Sequence, residues 1–175
     1  MALLELIMDL GKENFFVSLN APMKNNHIAL IIPYRIAKSL DSYSLWFQVR
    51  RENGPLNNLL EWPGGKIEMG EPPEAAAKRE LAEELPDFDW NWSKQRLLLF
   101  NQYSYEYPDR HLHFSVYLLK ADDISLEIGG WKDILLAAKP LEMQLALPDA
   151  NRVMIQELHH YFRQQLEGGI RPWAL

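Results

Sequence analysis

The chain predicts an α/β fold, a β-sheet covered by helices. Apolar, strand-like runs alternate along it with segments of helical pattern, the arrangement expected of a sheet covered by helices. It has 175 residues, 47% of them hydrophobic, which suits a single domain with a full core better than two small ones. It carries six Trp, seven Tyr and seven Phe as bulky core material.

Residues 1–26 read as an N-terminal extension with a strand or short helix near 3–10. HIALIIPY (27–34) is a buried strand, and YSLWFQVRR (43–51) alternates as a second. Asn53-Gly54-Pro55 breaks the chain, a polar loop leads to Leu59–Trp62, and Pro63-Gly64-Gly65 is a sharp turn. Pro72 and Pro73 stand where a first helical turn tolerates proline, and the helix they open runs to about Leu85, stopped by Pro86. Residues 96–106 and 111–120 are two strands joined at Pro108-Asp109-Arg110. After them Gly129-Gly130 marks a loop, and 134–146 is expected to be partly helical. Residues 149–167 form an amphipathic helix with Val153, Ile155, Leu158, Phe162 and Leu166 as its apolar set. The domain is therefore expected over 27–167, with 168–175 (GGIRPWAL) as a tail or lid.

Composition narrows the function. There is no Cys, which excludes disulfides and thiolate metal sites and is compatible with a cytoplasmic setting. Glu5 and Asp9 interrupt the apolar N-terminus and no basic residue precedes it, the opposite of a secretory signal. No apolar run approaches the ~18 residues of a membrane span. The net charge is −6, and residues 61–89 account for all of it with nine acids and three bases. A broad DNA or RNA footprint is not expected from this balance. The acidic segment is either a solvated helix face or a site for hard cations, which prefer carboxylate oxygens.

Within that segment Glu80, Glu83 and Glu84 stand at i, i+3 and i+4 and share one helix face, while Ala77, Leu81 and Leu85 form an apolar ridge beside it. Like charges so spaced weaken a helix by about 0.2–0.5 kcal/mol per pair. Cations between them, or Arg79 in part, would relieve that repulsion. Gly64 and Gly65 let the preceding backbone turn tightly and offer unobstructed carbonyl oxygens that can complete a Mg²⁺ or Mn²⁺ shell.

From Gly65 to Glu84 the chain resembles the Nudix box, G-x5-E-x7-R-E-U-x-E-E-x-G-U, where U is bulky and aliphatic. Gly65, Glu71, Arg79, Glu80, Leu81, Glu83 and Glu84 match at the required spacing. Pro86 and Asp87 depart from its end; proline cannot adopt the positive φ of glycine, so the turn after the helix must differ. LEWPGGKIEMGE, YEYPDRH and LPDAN extend the likeness to the MutT branch over roughly 45–165.

The resemblance implies a Nudix α/β/α sandwich and a hydrolase that uses Mg²⁺ or Mn²⁺ while water attacks a phosphorus of a nucleotide diphosphate linkage. By analogy Glu83 and Glu84 are metal ligands beside the Gly64 carbonyl, Glu80 is a ligand or the base that activates water, and Glu71 with Arg79 braces loop against helix. A late-loop carboxylate is also implied, with Asp133 and Glu127 as candidates. Asn151 would read the base, because an amide can donate to guanine O6 and accept from the N7–H that 8-oxoguanine has and guanine lacks; the alternative is that it caps the last helix. Arg51 and Arg110 match phosphate- or base-holding positions and Trp62 an aromatic position near the base. The alternatives there are a strand-end Arg, a turn Arg and a core Trp. The five histidines show no ligand spacing, and neither a Ser-His-Asp set nor a P-loop is present. The expected reaction splits a nucleoside triphosphate into monophosphate and pyrophosphate, with 8-oxo-dGTP as the preferred candidate. Its rivals are pyrophosphate removal from an RNA 5′ end, nucleoside diphosphate sugar hydrolysis, and an inactive nucleotide-binding module.

Overall fold

A computed structural model describes residues 24–51, 53–122, 124, 126, 129–137 and 145–167. The expectations for most of the extension, for Glu127, for 138–144 and for the tail fall outside the described residues. The elements are β1 (Lys24–Ile36), β2 (Ser42–Val49), β3 (Leu60–Glu61), β4 (Gly64–Lys66), α1 (Pro73–Glu84), β5 (Leu97–Tyr107), β6 (Arg110–Lys120), β7 (Gly130–Leu135) and α2 (Asp149–Glu167).

One sheet, ordered β3-β2-β1-β6-β5, joins these strands, with β4 added on β1 and β7 on β2. β1 and β6 run parallel from Lys24↔Arg110 to Tyr34↔Lys120, and the other pairs are antiparallel, so the sheet is mixed. The central strand β1 is shared lengthwise. Its end pairs with β2 at Tyr34↔Leu45 and its first half with β4 at Leu30↔Gly64.

Side-chain alternation splits the interior into two cores. Leu30, Ile32, Tyr34, Leu45, Phe47, Val116 and Leu118 pack with Met154, Ile155, Leu158 and Phe162 of α2. Ala29, Ile31, Trp46, Tyr117 and Leu119 on the other face pack with Ala76, Ala77 and Leu81 of α1. Helices therefore cover both faces, as the expected sandwich requires.

Three local expectations need correction. Ile134 and Leu135 lie in strand β7, paired with β2 at Tyr43↔Ile134, rather than in a helix. Gly64–Lys66 is a short strand on β1 rather than only a turn. Val153 is 42% exposed, and Met154 takes the inward place with Asn151, Ile155, Leu158 and Phe162.

Candidate active site

Pro72 is extended ahead of α1, Pro73 opens the helix, and the Leu85 N–H still bonds the Leu81 carbonyl before Pro86 ends it. The small buried residues Ala76 and Ala77 let α1 lie close on the sheet beside Gly64 and Gly65 of β4. A Cβ on Gly64, whose φ is +149°, would fall 2.2 Å from the Ala29 carbonyl oxygen. A Cβ on Gly65 would fall 2.4 Å from the Glu80 carboxyl. Backbone thus occupies the ground that side chains would deny to Glu80.

The three helix glutamates do not form one cluster. Arg79 is the hub of a network: Nε and Nη2 bond the two Glu71 oxygens at 2.9 and 3.0 Å, and Nη2 also bonds the Lys66 carbonyl. Nη1 reaches Glu80 at 2.9 Å and Glu83 at 3.4 Å. The Glu71 and Glu80 side chains are tucked in at 17% exposure each, whereas Glu83 stands open at 60%. The Arg79 hydrogen bonds, with a further one from the Glu68 N–H, hold the Glu71 carboxyl below the usual carboxylate range. The repulsion expected along this helix flank is therefore partly answered from within.

Glu84 turns the other way. Its carboxylate accepts from Gln48 Nε2 at 2.8 Å and from the Gly64 backbone. Much of the side chain is open to solvent, yet the carboxyl itself is crowded, and desolvation pushes it up to about 7. The bonds from Gln48 and Gly64 oppose that rise, and the charges of Glu61 and Glu80 add to it. Glu61 is itself paired with Arg50 at 2.9 Å. Among the described residues no three carboxylates or histidines are gathered into a ready metal-holding group. The donor chemistry nevertheless fits a hard divalent cation: the desolvated Glu84 carboxylate, with the Glu80 carboxylate near enough to add to its rise and the Gly64 backbone beside it.

A second polar constellation lies on the α2 face. Tyr103 Oη donates to the Ala150 carbonyl at 3.3 Å, and the Ala150 N–H donates to Tyr107 Oη at 3.5 Å. The Arg110 guanidinium lies 5.3 Å over the Tyr107 ring, and its Nε is 3.5 Å from Asp109. Asn151, next in the chain, is 7% exposed and makes no side-chain hydrogen bond among the described residues. It stands inside α2, which begins at Asp149, so it is not the helix cap. The two constellations meet at residues 60–66: Glu61 and Gly64 adjoin Glu84, while the Leu60 N–H bonds the Ala146 carbonyl just ahead of α2.

The other expected site residues fall elsewhere. Trp62 is 2% exposed and stacked on Phe47 at 5.1 Å, so it belongs to the core rather than to an open aromatic wall. Asp133 sits in strand β7, not a loop, and accepts from Ser44 Oγ at 2.6 Å. Ser44 is four residues, about 13 Å of extended strand, from Gln48, so Asp133 is not brought to Glu84. Arg51 is exposed beyond the end of β2, and it is Arg50 that makes the inward ion pair. Sequence reasoning overlooked Gln48, Arg50, Glu61, Tyr103 and Tyr107. Glu61 carried a signal as the first acid of the charged segment, and Tyr107 lies within YEYPDRH.

Residues 36–133 match the NUDIX domain family. The chain is 44% identical over 71 residues to an 8-oxo-dGTP diphosphatase of Escherichia coli K12, covering 41% of this chain and 51% of that protein. It is 36% identical over 75 residues to the enzyme of the same name from Haemophilus influenzae, covering 43% and 52%. It thus spans about half the length of the curated relatives it matches. Among solved structures, the fold resembles a Caenorhabditis elegans Ap4A hydrolase (TM-score 0.57, 15% identity, 79% and 98% coverage). It also resembles a MutT NUDIX hydrolase from Burkholderia pseudomallei (0.52, 19%, 77% and 98%). No helix among the described residues is long and apolar enough to cross a membrane.

Proposed function

This chain belongs to the NUDIX family, and from that premise we propose that it is a divalent-metal-dependent hydrolase that converts a nucleoside triphosphate to the monophosphate and pyrophosphate, with 8-oxo-dGTP as preferred substrate. The observation that carries the reading is the Glu84 carboxyl, pushed up to about 7 beside Glu80 at the Gly64–Gly65 backbone. A carboxyl crowded out of water in this way, with the charges of Glu61 and Glu80 adding to the effect, favours a cation or a proton, and both are useful where water must be activated against a charged phosphate.

The ion, Mg²⁺ or Mn²⁺, would be held by Glu84 and Glu80 with the Gly64 carbonyl, Glu83 joining them by turning from Arg79, and would neutralise charge on the diphosphate oxygens. The remaining work falls to the chain. Glu80 orients the attacking water and takes its proton, helped by the Arg79 bond that fixes one of its oxygens. Gln48 restrains Glu84. Arg110 supplies positive charge near the start of α2, where Asn151 offers an amide to the base. The relatives named 8-oxo-dGTP diphosphatase support the choice of substrate.

Pyrophosphate release from 8-oxo-dGTP and dGTP is the test. Turnover is expected with Mg²⁺ or Mn²⁺ and is expected to vanish in EDTA. Turnover that persists in EDTA overturns the metal assignment, and no turnover of any nucleotide with metal overturns the hydrolase reading.

A further inference from the structure

Asn151 can discriminate between bases only if its amide is held still. The structure shows what holds the turn it stands on. Alternation along β5 puts Tyr103, Tyr105 and Tyr107 half-buried on one side of the strand and Ser104 and Glu106 outward. The hydroxyls of Tyr103 and Tyr107 converge on one residue of the opposite helix. One takes the carbonyl of Ala150 and the other its N–H, and Asn151 follows directly.

The N–H is informative. The first backbone donors of a helix have no intrahelical partner. Here the N–H groups of Asn151 and Arg152 both turn to the Pro148 carbonyl, while that of Ala150 goes to a phenol. Polar side chains are a poor choice for packing alone, because a half-buried hydroxyl must find a partner; phenylalanine would fill the same space without that demand. The rings are themselves anchored. Tyr103 stacks on Phe114 at 4.8 Å and 13°, and Tyr107 lies between Tyr105 and the Arg110 guanidinium.

We propose that Tyr103 and Tyr107 are positioning residues that clamp Ala150 by its carbonyl and by its N–H, one on each of the two peptides that flank it, and so fix where the Asn151 amide meets the base. This rests on the base-reading role assigned to Asn151 above. At 3.3 and 3.5 Å the bonds are long for their kind and each is weak alone, so the orientation comes from the pair acting on one residue from anchored rings. Base discrimination by hydrogen bonding needs the reading group placed within about 0.5 Å.

The test compares kcat/KM for 8-oxo-dGTP and dGTP in the wild type, Tyr103→Phe, Tyr107→Phe and the double variant, with Asn151→Ala as a second background. The double variant is expected to lose roughly tenfold in the ratio of the two substrates, carried by KM for 8-oxo-dGTP. In the Asn151→Ala background the same two changes are expected to leave the ratio untouched, because the residues act through Asn151. Amide hydrogen exchange at Ala150 and Asn151 is expected to quicken in Tyr107→Phe while global unfolding barely moves. A wild type that does not distinguish the two nucleotides sinks the Asn151 reading and the clamp together. A discriminating wild type whose double variant discriminates equally well, or loses as much without Asn151, sinks the clamp alone. Should the double variant not fold, the single Tyr107→Phe decides in the same way.

Discussion

Around Arg79 on the α1 face polar groups are held by charge; around Ala150 on the α2 face they are held by the hydroxyls of two tyrosines. Arg79 bonds Glu71 and Glu80 and reaches Glu83, all but Glu71 lying within one turn of the same helix. On the opposite face the turn that carries Asn151 is bonded by two phenols from a strand far away in sequence. The first arrangement can tolerate movement, because Coulomb attraction falls off slowly and a guanidinium has five donors. The second cannot, since a neutral hydrogen bond weakens steeply with angle. A charged face suits the reacting phosphate and a rigid neutral one suits a base. The contrast predicts that damage to the α1 face will reduce rate for every nucleotide, and damage to the α2 face will alter which nucleotide is preferred.

The largest effect is expected from Glu84→Gln. It keeps the shape and the Gln48 neighbour but removes the charge, and kcat with Mg²⁺ is predicted to fall by about 10²–10⁴-fold. The fall should be equal for 8-oxo-dGTP and dGTP. Asn151→Ala is predicted to do the reverse, changing the ratio of kcat/KM between them more than the common rate. If Glu84→Gln changes the ratio and Asn151→Ala the rate, the division of labour between the faces is wrong.

Gly65→Ala follows. The new Cβ would meet the Glu80 carboxyl at 2.4 Å, and that carboxyl is the free end of a flexible side chain. The side chain can swing away at the cost of its Arg79 bond, so the protein should fold with a smaller loss of Tm than Arg79→Ala shows. Displacement of a reacting group by about an ångström costs up to about 10²-fold in kcat. A variant that folds and retains full rate would show that Glu80 does not act from the place it occupies here.

Arg79→Ala is expected to reach stability as well as rate. Glu71 and Glu80 would keep their enclosed positions without a counter-charge, and the Lys66 carbonyl would lose a donor. A fall in Tm of roughly 2–6 °C is predicted. Arg79→Lys should recover only part of it, because an ammonium cannot fork across both Glu71 oxygens. A thermal scan decides between this and a purely catalytic role.

The same contrast explains what the sequence disclosed. The α1 face was legible because its partners are near in sequence: the spacing of Glu71, Arg79, Glu80, Glu83 and Glu84 sets their order, and a helix brings them together without help from the rest of the fold. Helix α2 is legible in its bounds and in Ile155, Leu158 and Phe162 because its amphipathic period is long, and only Val153 departs from the expected set. Val153 was grouped with the apolar set on hydrophobicity, yet Asn151 occupies a place in the inward stripe and draws Met154 in with it. Strand β7 was missed because only Ile134 of its six residues is buried, so it shows little alternation and owes its form to pairing with β2. Tyr103 gave no sign, and Tyr107, though within YEYPDRH, gave none of its contact with Ala150, since that contact exists only once β5 meets α2, more than forty residues later in the chain.

The smallest expected effect is the pH dependence of the loop brace. Glu71 is held below the ordinary carboxylate range by Arg79, so in acid the unfolded chain takes up a proton before the folded one does. The brace is therefore complete above the unfolded value, near pH 4.3 for a free glutamate, and is lost as pH falls through the lower folded value. Glu71→Gln cannot ionise and lacks the brace at every pH. The two proteins should differ most in Tm above about pH 5 and converge in acid, as protonation makes the wild type resemble the variant. A gap of constant width across that range would mean that shape and not charge ties the loop to α1, and the account of this face as one held by charge would have to begin again at Glu80.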